Sequence, residues 1–318
     1  MKKCAHILLV LMFPSLLVAA DIVPKDGWSN KFKSSGLFSW DFNDNVVGFD
    51  TGSTLGLGLE LTDKLAWASG KHDFAINAGY QLAFQKSLAL SIWQKTADEA
   101  SLGLEYLYSI NDWTGFVAKV VGKLHTLEGV DYRGTEYTYI VDGDVAGARR
   151  LDHLKLSSAG FPMAYEEFVG WFVRPVKEPY ADLLIELGAQ AVQIIADDQA
   201  FAETVDVAAK TIHLKKLVNA YEFGVALNLS LGGSIWDDNL NYEFVAGVFY
   251  SPFISPKEPV RATFVDKLTS KFGVLLSAKL YEALSLDWKF KAVRLPAMRP
   301  EFQLQSNLLL TLNWDLVS

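Results

Sequence analysis

Charged side chains recur on one parity of regularly alternating segments, and they offer the most chemistry in this chain. The acids are Asp41, Glu60, Asp73, Glu105, Glu186, Glu222, Glu243 and Asp287, and the bases are Lys119, Lys123, Lys271, Lys279, Lys289 and Lys291. Many stand between apolar neighbours, as Glu60 does between Leu59 and Leu61 and Lys289 between Trp288 and Phe290. Such residues belong to the interior of a sheet closed on itself. A ring of one sign would select ions there. Mixed signs pair instead. Two readings follow: a filled interior whose salt bridges fix strand register, or a narrow channel for small polar solutes.

Other reactive residue types are sparse. His72, His125, His153 and His213 show no metal-ligand spacing. Neither a G-x-S-x-G elbow nor a phosphate-binding loop occurs. Catalysis on lipid or peptide would need Ser91, His125 or His153 gathered with an Asp at one rim, and nothing in the sequence shows that gathering. Asp142-Gly143-Asp144 and Asp237-Asp238-Asn239 read as turns, because a full calcium loop is missing. Arg149, Arg150 and Lys155 read as solvated loop residues, with contact to anionic head groups as the alternative. No catalytic, cofactor or metal residue is assigned.

The elements that must position the charged residues are strands. Along Glu301–Leu316, Phe302, Leu304, Leu308, Leu310, Leu312, Trp314 and Leu316 fall on one parity. Glu301, Gln303, Gln305, Asn307, Thr311, Asn313 and Asp315 fall on the other. Strand side chains alternate faces, so the segment is oily on one side and polar on the other. The same pattern marks Phe32–Asn43, Gly52–Thr62, His72–Gln85, Ala100–Ile110, Trp113–Leu124, Glu166–Pro175 and Asp182–Ile195. It returns in Lys216–Leu231, Leu240–Phe253, Thr269–Leu280 and Leu284–Val293. Strands of globular proteins average five or six residues; these run well beyond that. About ten alternating residues can cross a bilayer as a tilted strand.

The spacing predicts an all-β, antiparallel, up-and-down transmembrane barrel of about 12 strands, with 10 to 14 admissible. Its connections alternate in length. Asn111-Asp112, Val176–Ala181 and Tyr281–Ala283 are short, whereas Lys86–Glu99, His125–Tyr165 and Ala196–Lys215 are long. Even-stranded barrels with both termini periplasmic have that rhythm. Asp197–His213, with Phe201, Val205 and Ala209 at helical spacing, reads as a short helix in a loop, and Tyr137–Val141 as a protruding hairpin strand. Leu88–Trp93 reads as a strand extension.

Residues 1–20 read as a secretory signal, with Lys2 and Lys3 before an apolar core and Val18-Ala19-Ala20 before Asp21. Cys4 leaves with it, so the mature chain has no thiol. It then holds 27 basic against 37 acidic residues, a formal charge of −10, which argues against nucleic acid. Residues 21–318 form the barrel. The remaining soluble reading is a periplasmic β-sandwich binding module.

The chain resembles an uncharacterised family of outer-membrane β-barrel domains. The likeness rests on Asp26-Gly27-Trp28, Gly36, Phe38, Phe42, Asn43, Gly79-Tyr80 and Gln94-Lys95-Thr96-Ala97-Asp98. It continues through Leu102–Tyr108, Asn111-Asp112-Trp113 and Lys123–Tyr132. Ala97 stands where the family's Lys-Thr-Asp-Asp motif carries an acid. The resemblance implies a Gram-negative outer membrane, lipid and the barrel assembly machinery as partners, and no known activity.

Overall fold

The computed structural model describes residues 27–43, 52–87, 94–197, 199–206, 208–255, 264, 267–281, 283–295 and 299–317. The signal segment and Leu88–Trp93 lie outside them. Sixteen strands are described: β1 Gly27–Asn43, β2 Gly52–Ser69, β3 His72–Ser87, β4 Gln94–Asn111, β5 Thr114–Leu124, β6 Gly129–Val141, β7 Asp144–Ser157 and β8 Met163–Glu178. Then come β9 Ala181–Ile195, β10 Ala200–Asp206, β11 Thr211–Lys216, β12 Ala220–Ile235, β13 Leu240–Ser255, β14 Leu268–Tyr281, β15 Leu284–Leu295 and β16 Arg299–Val317.

Twelve of them close a barrel in the order β1-β16-β15-β14-β13-β12-β9-β8-β5-β4-β3-β2, every pair antiparallel. The twelve-strand architecture expected from alternation is therefore the one found. The predicted strand Glu166–Pro175 lengthens to Met163–Glu178, and Gly52–Thr62 to Gly52–Ser69. Closure is made by β1 and β16, from Lys31 opposite Val317 to Ser39 opposite Leu309.

One end of the barrel carries tight turns. Gly70 and Lys71 link β2 to β3, and Pro179 and Tyr180 link β8 to β9. Gly70 has φ +58°, the left-handed region that glycine enters without cost. All long connections leave from the other end.

Two of those connections build a second sheet. Its order is β10-β11-β6-β7, with β11 parallel to β6. The Tyr137–Val141 segment is its hairpin strand, as the sequence suggests. The helix expected over Asp197–His213 is absent. That stretch is the β10–β11 hairpin, with Thr211 opposite Asp206. Two causes outweigh the helical spacing. Thr204, Val205, Thr211 and Ile212 are β-branched and stiff at χ1, and β6 offers an open strand edge. Asp206 accepts a hydrogen bond from the Ala209 backbone N–H (2.9 Å), which makes the turn. Tyr139, Leu156, Ile212 and Leu214 form the buried core of this sheet.

Candidate functional site

Directly opposed residues of a ladder share a face. The register aligns Ala75, Glu105, Lys119, Phe168, Gln190 and Gly224 across six consecutive strands. That parity is buried, with Glu186 3% and Lys119 8% exposed. The opposite parity is oily and open, with Val169 64% and Leu187 56% exposed. A closed barrel has one inside, so the buried parity points into it.

The inner charges meet one another. Lys119 Nζ lies 2.6 Å from Glu186 Oε1 and 3.6 Å from Glu105 Oε2. Lys123 reaches Glu99 at 2.6 Å. Asp287 accepts a hydrogen bond from Ser277 Oγ at 2.6 Å. Two further pairs cut across the barrel instead of along its wall. Lys289 Nζ is 3.4 Å from Glu60 Oε2, although β16 and β1 separate their strands. Lys271 Nζ is 3.8 Å from Glu166 Oε1, with β13, β12 and β9 between. Gln190 donates to the same Glu166 oxygen at 3.1 Å. Side chains that bridge such chords occupy the cross-section.

Beside this network lies an apolar cluster. Val117, Phe168, Phe172, Ala226 and Phe249 pack together, with Leu107, Leu184 and Val192 against them. Glycines make room for the rings. A Cβ on Gly115 would come 2.8 Å from the Phe172 ring and 1.9 Å from the Tyr108 carbonyl. One on Gly188 would come 2.9 Å from the Phe168 ring. Ring over glycine on a facing strand is a known way to pin register.

The Lys95–Asp98 motif has a local structural task at the long-connection rim. Asp98 accepts from the Thr126 backbone N–H (3.2 Å), Thr126 Oγ1 (2.5 Å) and the Leu127 backbone N–H (2.6 Å). Lys95 Nζ pairs with Asp98 at 2.8 Å and donates to the carbonyls of Leu127 (3.0 Å) and Glu128 (2.9 Å). The pair thus ties β4 to the link that carries β6. His125 sits in this joint. Burial holds its imidazole below the usual histidine range, which keeps it neutral near pH 7.

On the outer sheet, Asp131 accepts from Tyr139 Oη (3.1 Å) and from Arg133 Nε (2.9 Å). Burial first, then the Asp131 charge, pushes the Tyr139 phenol well above its ordinary range. His153 is exposed and stacks on Tyr132, with centroids 5.7 Å apart. Its Nδ1 lies 2.7 Å from Asp152, which keeps that carboxyl below the ordinary range.

The residues singled out from sequence are placed as follows. Glu60, Glu105, Lys119, Lys123, Glu186, Lys271 and Lys289 enter the ion pairs above. Glu222 and Glu243 are buried on the same parity, and Lys291 is half-buried there opposite Gly273. Asp73 is half-buried opposite Ala68, whereas Lys279 is exposed near the β14–β15 turn. Asp41 stands in β1 opposite Thr54. Ser91 lies outside the described residues, and His125 and His153 have separate surroundings, one buried in the rim and the other exposed on the outer sheet. Asp142, in the β6–β7 turn, accepts from the Lys216 backbone N–H at the end of β11 (2.9 Å), and Asp144 accepts from that of Gly147 (3.1 Å), a local turn-type bond. Arg150 pairs with Glu136 at 2.9 Å, and Lys155 pairs with Glu128. Glu99, Glu166 and the interior phenylalanines are the members that sequence reasoning missed. Their signal is parity: Glu166, Phe168, Gly170 and Phe172 share one face of β8.

No family model matches the chain, and no curated protein matches it. Among solved structures it is similar to the translocator domain of the autotransporter NalP from Neisseria meningitidis, at 11% identity and a TM-score of 0.42 over 90% of this chain and 87% of that one. It is also similar to an outer-membrane channel from Pseudomonas putida F1, at 11% identity and a TM-score of 0.41 over 96% of this chain and all of that one (100%). The transport unit of the autotransporter AIDA-I from Escherichia coli gives 10% identity and 0.39 over 97% and 94%. These likenesses are loose.

Lys119→Met is expected to destabilise the barrel by about 3–5 kcal/mol, since it strands two buried carboxylates. Adding Glu186→Gln should recover part of that, with coupling of at least about 1 kcal/mol in a guanidinium unfolding series on vesicle-embedded protein. Asp98→Ala should leave the folded barrel's heat-modifiable gel mobility intact. Limited proteolysis between residues 125 and 162 should accelerate about tenfold, because only local opening is favoured.

Proposed function

We propose that this chain is a non-enzymatic outer-membrane barrel that acts as a surface-exposed binding barrel, with its interior filled. The observation that carries this reading is the pair of ion bridges that cut chords across the barrel, Lys271–Glu166 and Lys289–Glu60, beside the phenylalanine cluster. A barrel between the filled eight-stranded and the water-filled sixteen-stranded sizes has room for a path. Here side chains take that room. Asp41, Asp73, Glu222, Glu243, Lys279, Asp287 and Lys291 complete the proposed lumen lining.

The exposed oily parity supports outer-membrane lipid as its surroundings, because soluble proteins rarely leave such a continuous apolar belt open. The turn lengths support a short-turn end in the periplasm, with both termini there and the four-stranded sheet outside. An outward-facing barrel of this kind would reach its membrane through the assembly machinery. Binding then falls to the outer sheet, where Tyr132, Arg150 and His153 stand exposed.

Planar-bilayer recording tests the reading. The wild type is expected to stay silent at high salt, and Phe168→Ala with Phe172→Ala to give unitary currents by emptying part of the plug. Steady unitary currents from the wild type would establish the narrow-pore alternative instead.

A further inference from the structure

In the outer sheet, β6 bulges out against β7. Tyr132 stands opposite His153 and Tyr137 opposite Leu151, so residues 133–136 of β6 face Asp152 alone. Bulges re-aim side chains and gather where strands carry function. The base of this one is fixed. Arg133 Nε reaches the buried Asp131 at 2.9 Å, and its guanidinium lies over the Tyr137 ring, 5.6 Å from the centroid.

The bulge presents two polar pairs and a ring pair on one face. Tyr137, Leu151 and Leu154 pack on the core of the sheet. Neighbours along a strand alternate and opposed residues share a face, so Tyr132, His153 and Arg150 stand on the other side. There the Tyr132 and His153 rings stack at an interplanar angle of 22°. Arg150 Nε pairs with Glu136, at the end of the bulge, at 2.9 Å, and His153 Nδ1 lies 2.7 Å from Asp152. All of these side chains are exposed. From Arg150 to His153 is at most about 10 Å of strand, the span of two sugar rings.

The pairing of charges selects among ligands. An anion arriving here would meet Glu136 and Asp152, and a cation would meet Arg150. A neutral, polyhydroxylated ligand meets neither repulsion. Its hydroxyls can donate to the remaining lone pairs of both carboxylates and accept from the remaining guanidinium N–H groups, with each pair left intact. The rings supply the other half of the match. An aromatic face carries negative charge density, and the C–H bonds on one face of a pyranose are apolar and weakly positive.

Resting on the reading of the outer sheet as the binding surface, we propose that the β6 bulge is a binding site for a neutral saccharide. One sugar ring stacks on Tyr132 and His153, and hydroxyls of that ring or the next bond to Glu136 and Arg150. An open site of this kind binds a single ring only in the millimolar range and gains affinity from successive rings.

Saturation-transfer NMR on the full barrel in nanodiscs tests this, with the methyl glycosides of glucose, galactose, mannose and N-acetylglucosamine as probes. At least one should bind, with transfer strongest at its ring C–H protons. Tyr132→Ala should weaken that binding about tenfold, while Tyr132→Phe keeps it within about twofold, because the stacking face and not the hydroxyl carries the contact. Arg150→Ala should weaken it about fivefold. Heat-modifiable mobility checks that each variant keeps its barrel. No transfer to any of the four glycosides, binding indifferent to Tyr132→Ala, or tighter binding of a glucose phosphate than of methyl glucoside would overturn the site. Planar-bilayer recording of the same wild-type preparation separates the two failures. A silent barrel that binds none of the glycosides loses this inference alone, whereas a conducting one contradicts the filled binding barrel itself.

Discussion

Everything in this molecule follows from a closed backbone ladder whose side chains alternate between two unlike surroundings. Closure satisfies the N–H and C=O groups along the walls without water. Alternation then divides each strand between an apolar outer surface and a buried inner one. A slip of one residue would exchange the two sets, so register is the quantity the sequence must secure. β12 shows the result plainly: Tyr221, Phe223, Val225, Leu227 and Leu229 are exposed, and Glu222, Gly224 and Ala226 between them are buried.

Two inner devices hold that register. Opposite charges on neighbouring or facing strands, such as Lys119 between Glu105 and Glu186, meet only in one alignment. Phenylalanine rings laid over Gly115 and Gly188 fit only where the facing strand lacks a Cβ. Both devices consume interior space. On the proposed reading of a filled barrel, the filling is thus a consequence of how the barrel aligns itself. The seam at β1 and β16 lies away from the phenylalanine cluster, and among the described residues its ladder runs from Lys31 opposite Val317 to Ser39 opposite Leu309.

The strands and the barrel were legible because their physics is local and periodic. Leu55, Leu57, Leu59 and Leu61 against Gly56, Gly58 and Glu60 need no knowledge of the rest of the chain. The shared parity of the charges that pair, such as Glu105, Lys119 and Glu186, was legible for the same reason. Their partners were not, since the partner of Lys271 lies four strands away and is set by barrel diameter and tilt. Phe168 and Phe172 were hidden because an interior aromatic breaks the rule of oily outside and polar inside on which the parity was judged. The β10–β11 hairpin was misread because Phe201, Val205 and Ala209 fit a helical period, while the strand edge that captures the segment belongs to β6, where Thr138 stands opposite Thr211, 73 residues later in sequence. The Lys95–Asp98 motif was visible as a pattern, but its partner segment at Thr126 and Leu127 required the fold.

The most direct test of the account is the environment of successive residues along β12. Single cysteines at Val225, Ala226, Leu227, Asn228 and Leu229, labelled with bimane in reconstituted vesicles, can be read by quenching from spin-labelled lipid acyl chains. The account predicts quenching at 225, 227 and 229 and little at 226 and 228. Uniform quenching, none at all, or the opposite phase would contradict it.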